Sequence, residues 1–205
     1  MKKNKKTKVK KTRLLAVVLV VCILLGIFIF KTRNDLQVVS VVSVIDTYQY
    51  TMESNTTRIY KKYFKELEIE LEDNKIDEKN YASLVAKLFT IDYYTLNNKV
   101  TNKNIVGVQF IHSSLRDSFI DKSSTTIYKY IKNNLYWNRK QKLPEVNNVE
   151  ITNIKNVKYK NKNFTDDSAY EVTVKISYVN DYDYPENVTL TLIHEENKLS
   201  IVEIK

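Results

Sequence analysis

Asp92 is the residue best suited to acid–base chemistry, because it lies in a largely apolar stretch beside Tyr93 and Tyr94. With His112 or His194, the two histidines of the chain, it could form a pair that moves a proton to or from a substrate. The alternative is that Asp92 makes local hydrogen bonds and that both histidines lie at the surface. We favour this alternative and therefore predict no catalytic residue.

Two groups of acidic residues have the composition of a cation site. The first is the run Glu66, Glu68, Glu70, Glu72 and Asp73, in which residues four apart on a helix carry like charges. Such a run is typical of a solvated helix end or a loop. The second is Asp181 and Asp183, but the glycine and the distal glutamate of a calcium loop are missing, and a turn fixed by Pro185 explains the pattern. We predict no metal site and no cofactor.

Aromatic residues form the third candidate group. All 15 tyrosines follow residue 40. Together with Asp92, the residues that could line a pocket or form a core are Tyr93, Tyr94, Tyr128, Tyr130 and Trp137. An aromatic cavity suits an apolar or glycan ligand. The commoner arrangement is a core beneath a sheet, with the hydroxyl groups at its margin.

The glycine and cysteine counts exclude several classes of site. The only glycines are Gly26 and Gly107, and the only cysteine is Cys22. One glycine outside the apolar N-terminal run cannot build a phosphate-binding loop, a dinucleotide fingerprint or a nucleophile elbow. One cysteine supports neither a disulfide framework nor a thiolate metal site.

The net charge of +9 is concentrated at the N-terminus. Eight of the 33 basic residues precede position 14, namely Lys2, Lys3, Lys5, Lys6, Lys8, Lys10, Lys11 and Arg13. Without these and Lys31 and Arg33, the remaining chain has 23 basic and 24 acidic residues. A near-neutral domain is not expected to bind nucleic acid specifically. The basic tail is expected to set topology and to attract anionic lipid.

The segment from Leu14 to Phe30 is predicted to be a transmembrane anchor. It has seventeen uncharged, mostly apolar residues, about 26 Å of helix, which is enough to cross a bilayer. A cleaved signal peptide is the alternative, but Lys31, Thr32 and Arg33 follow where small residues are needed. The charge asymmetry predicts a cytoplasmic N-terminus and an extracytoplasmic C-terminal part in a single-pass protein of the cell membrane.

Residues 34–74 have apolar residues at a three-four spacing, which predicts a juxtamembrane helix that is broken near Thr56 and Thr57. The β-branched valines around residue 40 could instead indicate a strand, but the three-four spacing extends further than a strand would. The apolar stripe of this helix, from Val38 to Met52, predicts self-association close to the membrane.

Further helices are predicted downstream. One runs from Asp77 to about Leu96, with Asp77 as its cap. The apolar piece from Ile105 to Ile111 is either a helical turn or an extended segment. Two short helices are predicted, one from Ser113 or Ser114 to Phe119 and one from Ser123 or Ser124 to Ile131.

Beyond Pro144 the apolar period changes from 3.6 to 2, which predicts four strands. They cover about 149–159, 170–178, 188–192 and 199–201, with a bulge between Ile151 and Ile154. Helices followed by four strands predict an α+β fold, in which several helices pack on a C-terminal antiparallel sheet. The chain then divides into a cytoplasmic tail (1–13), an anchor (14–30), a juxtamembrane helix or stalk (31–75) and an extracytoplasmic α+β domain (76–205).

This order of segments resembles the NTF2-like fold on a single anchor, as in the bitopic scaffold proteins of type IV secretion and their Gram-positive conjugation counterparts. The stretch LFTIDYYTLNNKVTNKNIVGVQFI, residues 88–111, is similar to a segment of anchored proteins from low-GC Gram-positive bacteria. The Asn-Pro-x-Gly turn that such scaffolds often carry at a dimer contact is absent. The resemblance implies a curved four-stranded sheet and assembly work at the membrane without catalysis.

We therefore expect a non-catalytic, membrane-anchored scaffold or assembly protein, which serves a conjugation or secretion apparatus. Its expected partners are the lipid bilayer, a second copy of the chain and other membrane proteins. The alternative is an anchored NTF2-like binding module, whose aromatic pocket takes a small ligand or a cell-wall fragment.

Overall fold

The computed structural model describes residues 19–25, 39–180 and 182–205. The chain divides into one unit of Met1–Val38 with Leu135–Asn138, and a main unit of Val39–Asn134 with Arg139–Lys205. In the first unit, residues 19–25 are helical. No helix in the described ranges combines the length and the hydropathy that a membrane crossing requires. The predicted basic tail, most of the predicted anchor and residues 31–38 lie outside the described residues.

The main unit is α+β, as predicted. Its helices are α1 (Arg58–Glu72), α2 (Glu78–Tyr94) and α3 (Arg116–Thr125). Its strands are β1 (Val41–Ile45), β2 (Tyr50–Glu53), β3 (Val146–Lys160), β4 (Thr165–Tyr178), β5 (Asn187–Glu195) and β6 (Lys198–Ile204). Strands β3, β4, β5 and β6 form one antiparallel sheet in that order, and β1 pairs with β2 in a separate hairpin.

The hairpin of β1 and β2 replaces the helix predicted for the first part of 34–74, so that prediction is wrong. A 3₁₀ turn at Asp46–Tyr48 and Gln49 in the left-handed region connect the two strands. The register shifts between Val41 and Ser43, so Val42 is an extra residue in β1. This bulge puts two neighbouring residues, Val41 and Val42, on the exposed side. The apolar residues of the bulged strand therefore follow the same three-four spacing in the sequence as those of an amphipathic helix.

Helix α1 begins where the predicted break lies. The side chain of Thr57 caps it by accepting a hydrogen bond from the Tyr60 backbone N–H at 3.3 Å. The helix buries one side, which consists of Tyr60, Tyr63, Phe64, Leu67 and Leu71.

Helix α2 confirms the helix predicted from Asp77. The Asp77 carboxylate accepts hydrogen bonds from the backbone N–H groups of Lys79 and Asn80. Most of this helix is buried, and it packs against β3 and β4.

The segment between α2 and β3 differs from the prediction in the extent and number of its helices. A 3₁₀ turn at Val108–Phe110 follows Gly107, and a second at Ser113–Leu115 leads into α3. The separate helix predicted from Ser123 or Ser124 to Ile131 is wrong, because α3 continues through Ser123 to Thr125. Ser123 is buried, and its hydroxyl bonds to the Tyr93 hydroxyl at 3.1 Å, so it does not cap a helix.

The sheet confirms the four predicted strands and extends each of them. Its register shifts between Ile151 and Asn153, where the bulge was predicted. Buried side chains of the sheet include Val172, Val174, Leu190 and Leu192, each 0 % exposed.

Residues of the hairpin and of α1 belong to the same core as the sheet. Tyr50, Tyr60 and Phe64 are at most 1 % exposed and join one hydrophobic cluster with Val172 and Leu190. Tyr50 also donates a hydrogen bond to the Leu199 carbonyl at 3.1 Å. The main unit therefore begins at Val39, and it includes residues on both sides of position 76.

Candidate functional site

Asp92 lies in the last turn of α2 and holds the following loop in place. Lys99 Nζ donates to Asp92 Oδ1 at 3.1 Å, and the Gly107 backbone N–H donates to Asp92 Oδ2 at 3.2 Å. The side chains of Asp92 and Lys99 are 11 % and 2 % exposed. Each carboxylate oxygen thus has a donor, and burial of the charge is compensated by a buried cation.

Gly107 lets the backbone come this close to α2. Its φ is +78°, in the left-handed region, and a Cβ at this position would lie 3.1 Å from the Phe89 ring. Glycine is the residue that adopts this conformation without steric cost. The loop can therefore direct its N–H at the Asp92 carboxylate.

A cavity of about 130 Å³ lies beside Asp92. It is lined by Thr51 and Glu53 of β2, by Thr56 and Tyr60, by Asp92, and by Ile105, Val106, Gly107, Val108 and Gln109. The lining combines carboxylate, hydroxyl and amide groups with the apolar side chains of Ile105, Val106 and Val108. Apolar side chains with convergent polar groups are features of small-ligand sites.

Glu53 is the unexpected member of this cavity. Burial raises the pKa of its carboxyl group, and the nearby charge of Asp92 raises it further, while Lys99 opposes the shift. Among the described residues, no group donates a hydrogen bond to its side chain. Sequence reasoning missed Glu53 because it placed the residue on a stalk helix, away from Asp92.

Gln109 connects the hairpin to this loop. Its Oε1 accepts from the Thr51 backbone N–H at 2.7 Å, and its Nε2 donates to the Thr51 carbonyl at 2.9 Å and to the Tyr60 hydroxyl at 3.2 Å. The amide therefore occupies the free edge of β2 as a neighbouring strand would. Burial raises the pKa of Tyr60 well above its ordinary value, with the charges of Asp92 and Glu53 adding to the shift.

Three of the predicted aromatic residues lie together. The Tyr93 ring lies 5.1 Å from that of Tyr94 and 5.7 Å from that of Tyr128. The Tyr128 hydroxyl donates to the Tyr93 carbonyl at 3.1 Å. Tyr94 and Tyr128 are buried and Tyr93 is partly buried, so they pack the interior beside Asp92 and do not surround an open pocket.

Tyr130 and Trp137 are not part of this group. They are 73 % and 66 % exposed, because Tyr130 lies in the turns after α3 and Trp137 in residues 135–138 of the first unit.

The histidines do not pair with Asp92. His112 Nε2 lies 3.7 Å from Glu195 Oε1, and its ring lies 4.4 Å from that of Phe164. His194 Nδ1 lies 2.8 Å from Asp166 Oδ2, and its Nε2 lies 3.4 Å from a Glu78 oxygen. Since Asp92 is bound by Lys99 and Gly107, the proton-transfer pair considered from the sequence is not assembled.

The acidic run lies on α1 and at its end. Glu66 pairs with Lys62 at 3.8 Å, and Glu70 accepts hydrogen bonds from the Asp77 backbone N–H and the Asn80 side chain. Asp181 lies outside the described residues, and Asp183 has a φ of 61°. Within the described ranges, no three His, Cys, Asp or Glu residues are grouped as a metal site would need.

The hairpin also presents an apolar surface. Val41, Val42 and Val44 of β1 are 56 %, 54 % and 45 % exposed, and we call these three residues the valine surface. In the described part of the chain, β1 has β2 as its one paired strand.

Comparisons of the sequence with protein-family models and with curated proteins, and of the fold with solved structures, give no match.

Proposed function

We propose that this chain is a non-catalytic assembly protein, which is held in the cell membrane by one N-terminal helix and has its main unit outside the cytoplasm. The apolar run 14–30 and the eight preceding positive charges support this location. Helices followed by a four-stranded antiparallel sheet support the further proposal of an NTF2-like scaffold, of the kind that serves conjugation or secretion.

The exposure of the valine surface is the main support for the assembly role. No charged residue occurs from Leu36 to Ile45, and charged side chains are one of the devices by which natural edge strands avoid association. Exposed apolar patches on a folded unit mark contact sites. Ten residues separate the predicted anchor from Val41, so proteins in the same membrane can reach this surface. We assign it to contact with a second copy of the chain.

The packing of the interior supports a role without catalysis. The space between the helices and the sheet holds Tyr50, Phe64, Phe89 and Phe110, each at most 1 % exposed, against the buried side of β4 and β5. An enzyme that worked inside this layer would need room for a substrate where these rings lie.

The proposal is tested with two differently tagged full-length copies that are expressed together, solubilised and purified through one tag. We expect the second copy to co-purify, and we expect Val42→Lys with Val44→Lys to abolish this. The matched control is Ile69→Lys, because Ile69 is an apolar residue of α1 that is 60 % exposed. If the double variant and the control retain the same amount of the second copy, the valine surface is not the contact.

A binding module is the second candidate function, and the cavity at Glu53 is the observation that favours it. The cavity is lined by the hairpin, α1, α2 and the Gly107 loop. It does not coincide with the aromatic pocket expected from the sequence, since Tyr93, Tyr94 and Tyr128 do not line it.

A further inference from the structure

The charges around the cavity do not balance. Asp92 is neutralised by Lys99 and has a donor at each oxygen. Glu53 has neither an ion pair within 4.0 Å nor a hydrogen bond to its side chain in the described part of the chain. When Glu53 is ionised, these three side chains carry a net charge of −1, so the cavity favours a cation.

A second polar group at the cavity is also incompletely bonded. The Tyr60 oxygen accepts from Gln109 Nε2, but no described residue accepts the Tyr60 phenol proton. Tyr60 is 1 % exposed and lines the cavity, so an acceptor for its proton has to lie inside the cavity. A buried donor without an acceptor costs free energy, and a ligand oxygen could recover that cost.

We propose that the cavity binds a small protonated amine that also carries an oxygen acceptor, as an amino alcohol does. The ammonium group lies on the Glu53 carboxylate, and the oxygen accepts a hydrogen bond from the Tyr60 hydroxyl. The short hydrocarbon between them packs on the apolar side chains of Ile105, Val106 and Val108. This inference goes beyond the assembly role and gives the second candidate function its ligand class.

Size and charge exclude other classes of occupant. A volume of about 130 Å³ corresponds to about four water molecules, so a ligand of roughly four to six heavy atoms fits. A carboxylate or phosphate ligand would be repelled by Glu53, the cavity carboxylate that has no ion pair among the described residues. Ca²⁺ needs six to eight oxygen ligands, and the site offers one uncompensated carboxylate.

The test uses the full-length chain in nanodiscs of zwitterionic lipid, with empty nanodiscs as the blank. Saturation-transfer NMR is recorded with 2-aminoethanol, ethylamine and 1-propanol at neutral pH. We expect millimolar dissociation constants, since a four-atom ligand makes few contacts. We expect 2-aminoethanol to bind more tightly than ethylamine, and 1-propanol to give no signal.

Two substitutions assign the contacts. Glu53→Gln is expected to raise the dissociation constants of both amines by tenfold or more. Glu150→Gln, which changes an exposed carboxylate of β3, is expected to leave both dissociation constants unchanged. Tyr60→Phe is expected to raise the dissociation constant of 2-aminoethanol to that of ethylamine, and to leave the dissociation constant of ethylamine unchanged.

Three results would overturn the proposal. They are no signal from either amine, binding of 1-propanol as tight as that of the amines, or binding of the amines by the Glu53→Gln variant as tight as by the wild type. The first means that the cavity holds only water, the second that it selects apolar groups, and the third that the amines bind elsewhere. The assembly role is tested by a separate experiment, in which the absence of co-purification between the two tagged wild-type copies would contradict it.

Discussion

The Asp92–Lys99 pair is the most completely buried ion pair of the described residues. Removing one partner of such a pair leaves an uncompensated charge in the interior, which typically costs 3–5 kcal/mol. We expect Lys99→Met to lower the free energy of unfolding by about that amount. The double variant Asp92→Asn with Lys99→Met should recover a large part of the loss, and urea denaturation followed by circular dichroism measures both.

The control for this prediction is the Lys62–Glu66 pair, whose side chains are 65 % and 43 % exposed. Solvent screens an exposed pair, so Lys62→Met should change the free energy of unfolding by less than about 1 kcal/mol. A loss of similar size in Lys62→Met and Lys99→Met would contradict the role assigned to burial.

Asp166 gives the fold a pH dependence. Burial alone raises the pKa of Asp166, but hydrogen bonds from the backbone N–H and the ring of His194 and from the Ser168 N–H outweigh it, so this pKa lies below its ordinary value. A depressed folded-state pKa stabilises the fold above the unfolded-state pKa, about 3.9, and this contribution is lost as the pH falls through the folded-state value.

We therefore expect Asp166→Asn to lower Tm at pH 7 and to approach the wild-type Tm as the pH falls below about 4. Thermal melts at a series of pH values measure this. Asp167→Asn is the control, because the Asp167 side chain is 79 % exposed and its ion-pair partner Lys158 lies 3.9 Å away. A constant Tm difference between Asp166→Asn and wild type across this range would show that the carboxylate charge is not the cause.

The sequence identified Asp92 as a notable carboxylate but not its partners. Lys99 follows Asp92 by seven residues, and its approach depends on how the chain turns after α2, which no period in the sequence encodes. Glu53 is 39 positions from Asp92 and reaches the same cavity only because β2 packs beside the Gly107 loop. Local patterns cannot predict such contacts, because they depend on tertiary packing.

At the scale of elements, the sequence predicted α2 and the four-stranded sheet because their periods are long and regular. It failed at the hairpin for a physical reason. The bulge at Val42 and the tight turn at Asp46–Tyr48 break the two-residue alternation, and the remaining apolar positions fit a helix better than a strand. The β-branched valines were the local signal for the correct answer.

Substitution of Gly107 tests whether glycine is needed to hold the following loop against α2. Substitution to alanine puts a Cβ in a backbone with φ of +78° and 3.1 Å from the Phe89 ring. We expect Gly107→Ala to lower the free energy of unfolding by about 1–3 kcal/mol, through backbone strain and displacement of the ring. Urea denaturation measures the loss.

Lys103→Ala is the matched control for Gly107→Ala, since Lys103 is exposed in the same loop. It should leave stability within about 0.5 kcal/mol of wild type. If Gly107→Ala is equally harmless, the loop has room to shift and the hydrogen bond to Asp92 does not depend on glycine.

At the scale of the whole molecule, the change from helical to strand period predicted the fold class, but it did not predict which residues share a core. The hairpin and α1 contribute Tyr50, Tyr60, Phe64 and Leu67, each at most 1 % exposed, to the cluster that covers the sheet. An amphipathic segment can pack on a neighbouring segment of its own chain or on another chain, and the sequence does not distinguish the two.

Truncation tests this shared core directly. A fragment of residues 39–205 should fold and unfold in one cooperative transition, because one cluster joins the hairpin, the helices and the sheet. A fragment of residues 76–205 loses those four large side chains, and deletion of each comparable buried side chain costs about 2–5 kcal/mol, which together exceeds the usual stability of a domain. It should lack cooperative unfolding and show a collapsed amide spectrum in two-dimensional NMR. A dispersed spectrum from 76–205 would mean that the hairpin and α1 are a stalk after all, and that the cavity at Glu53 lies between separable parts.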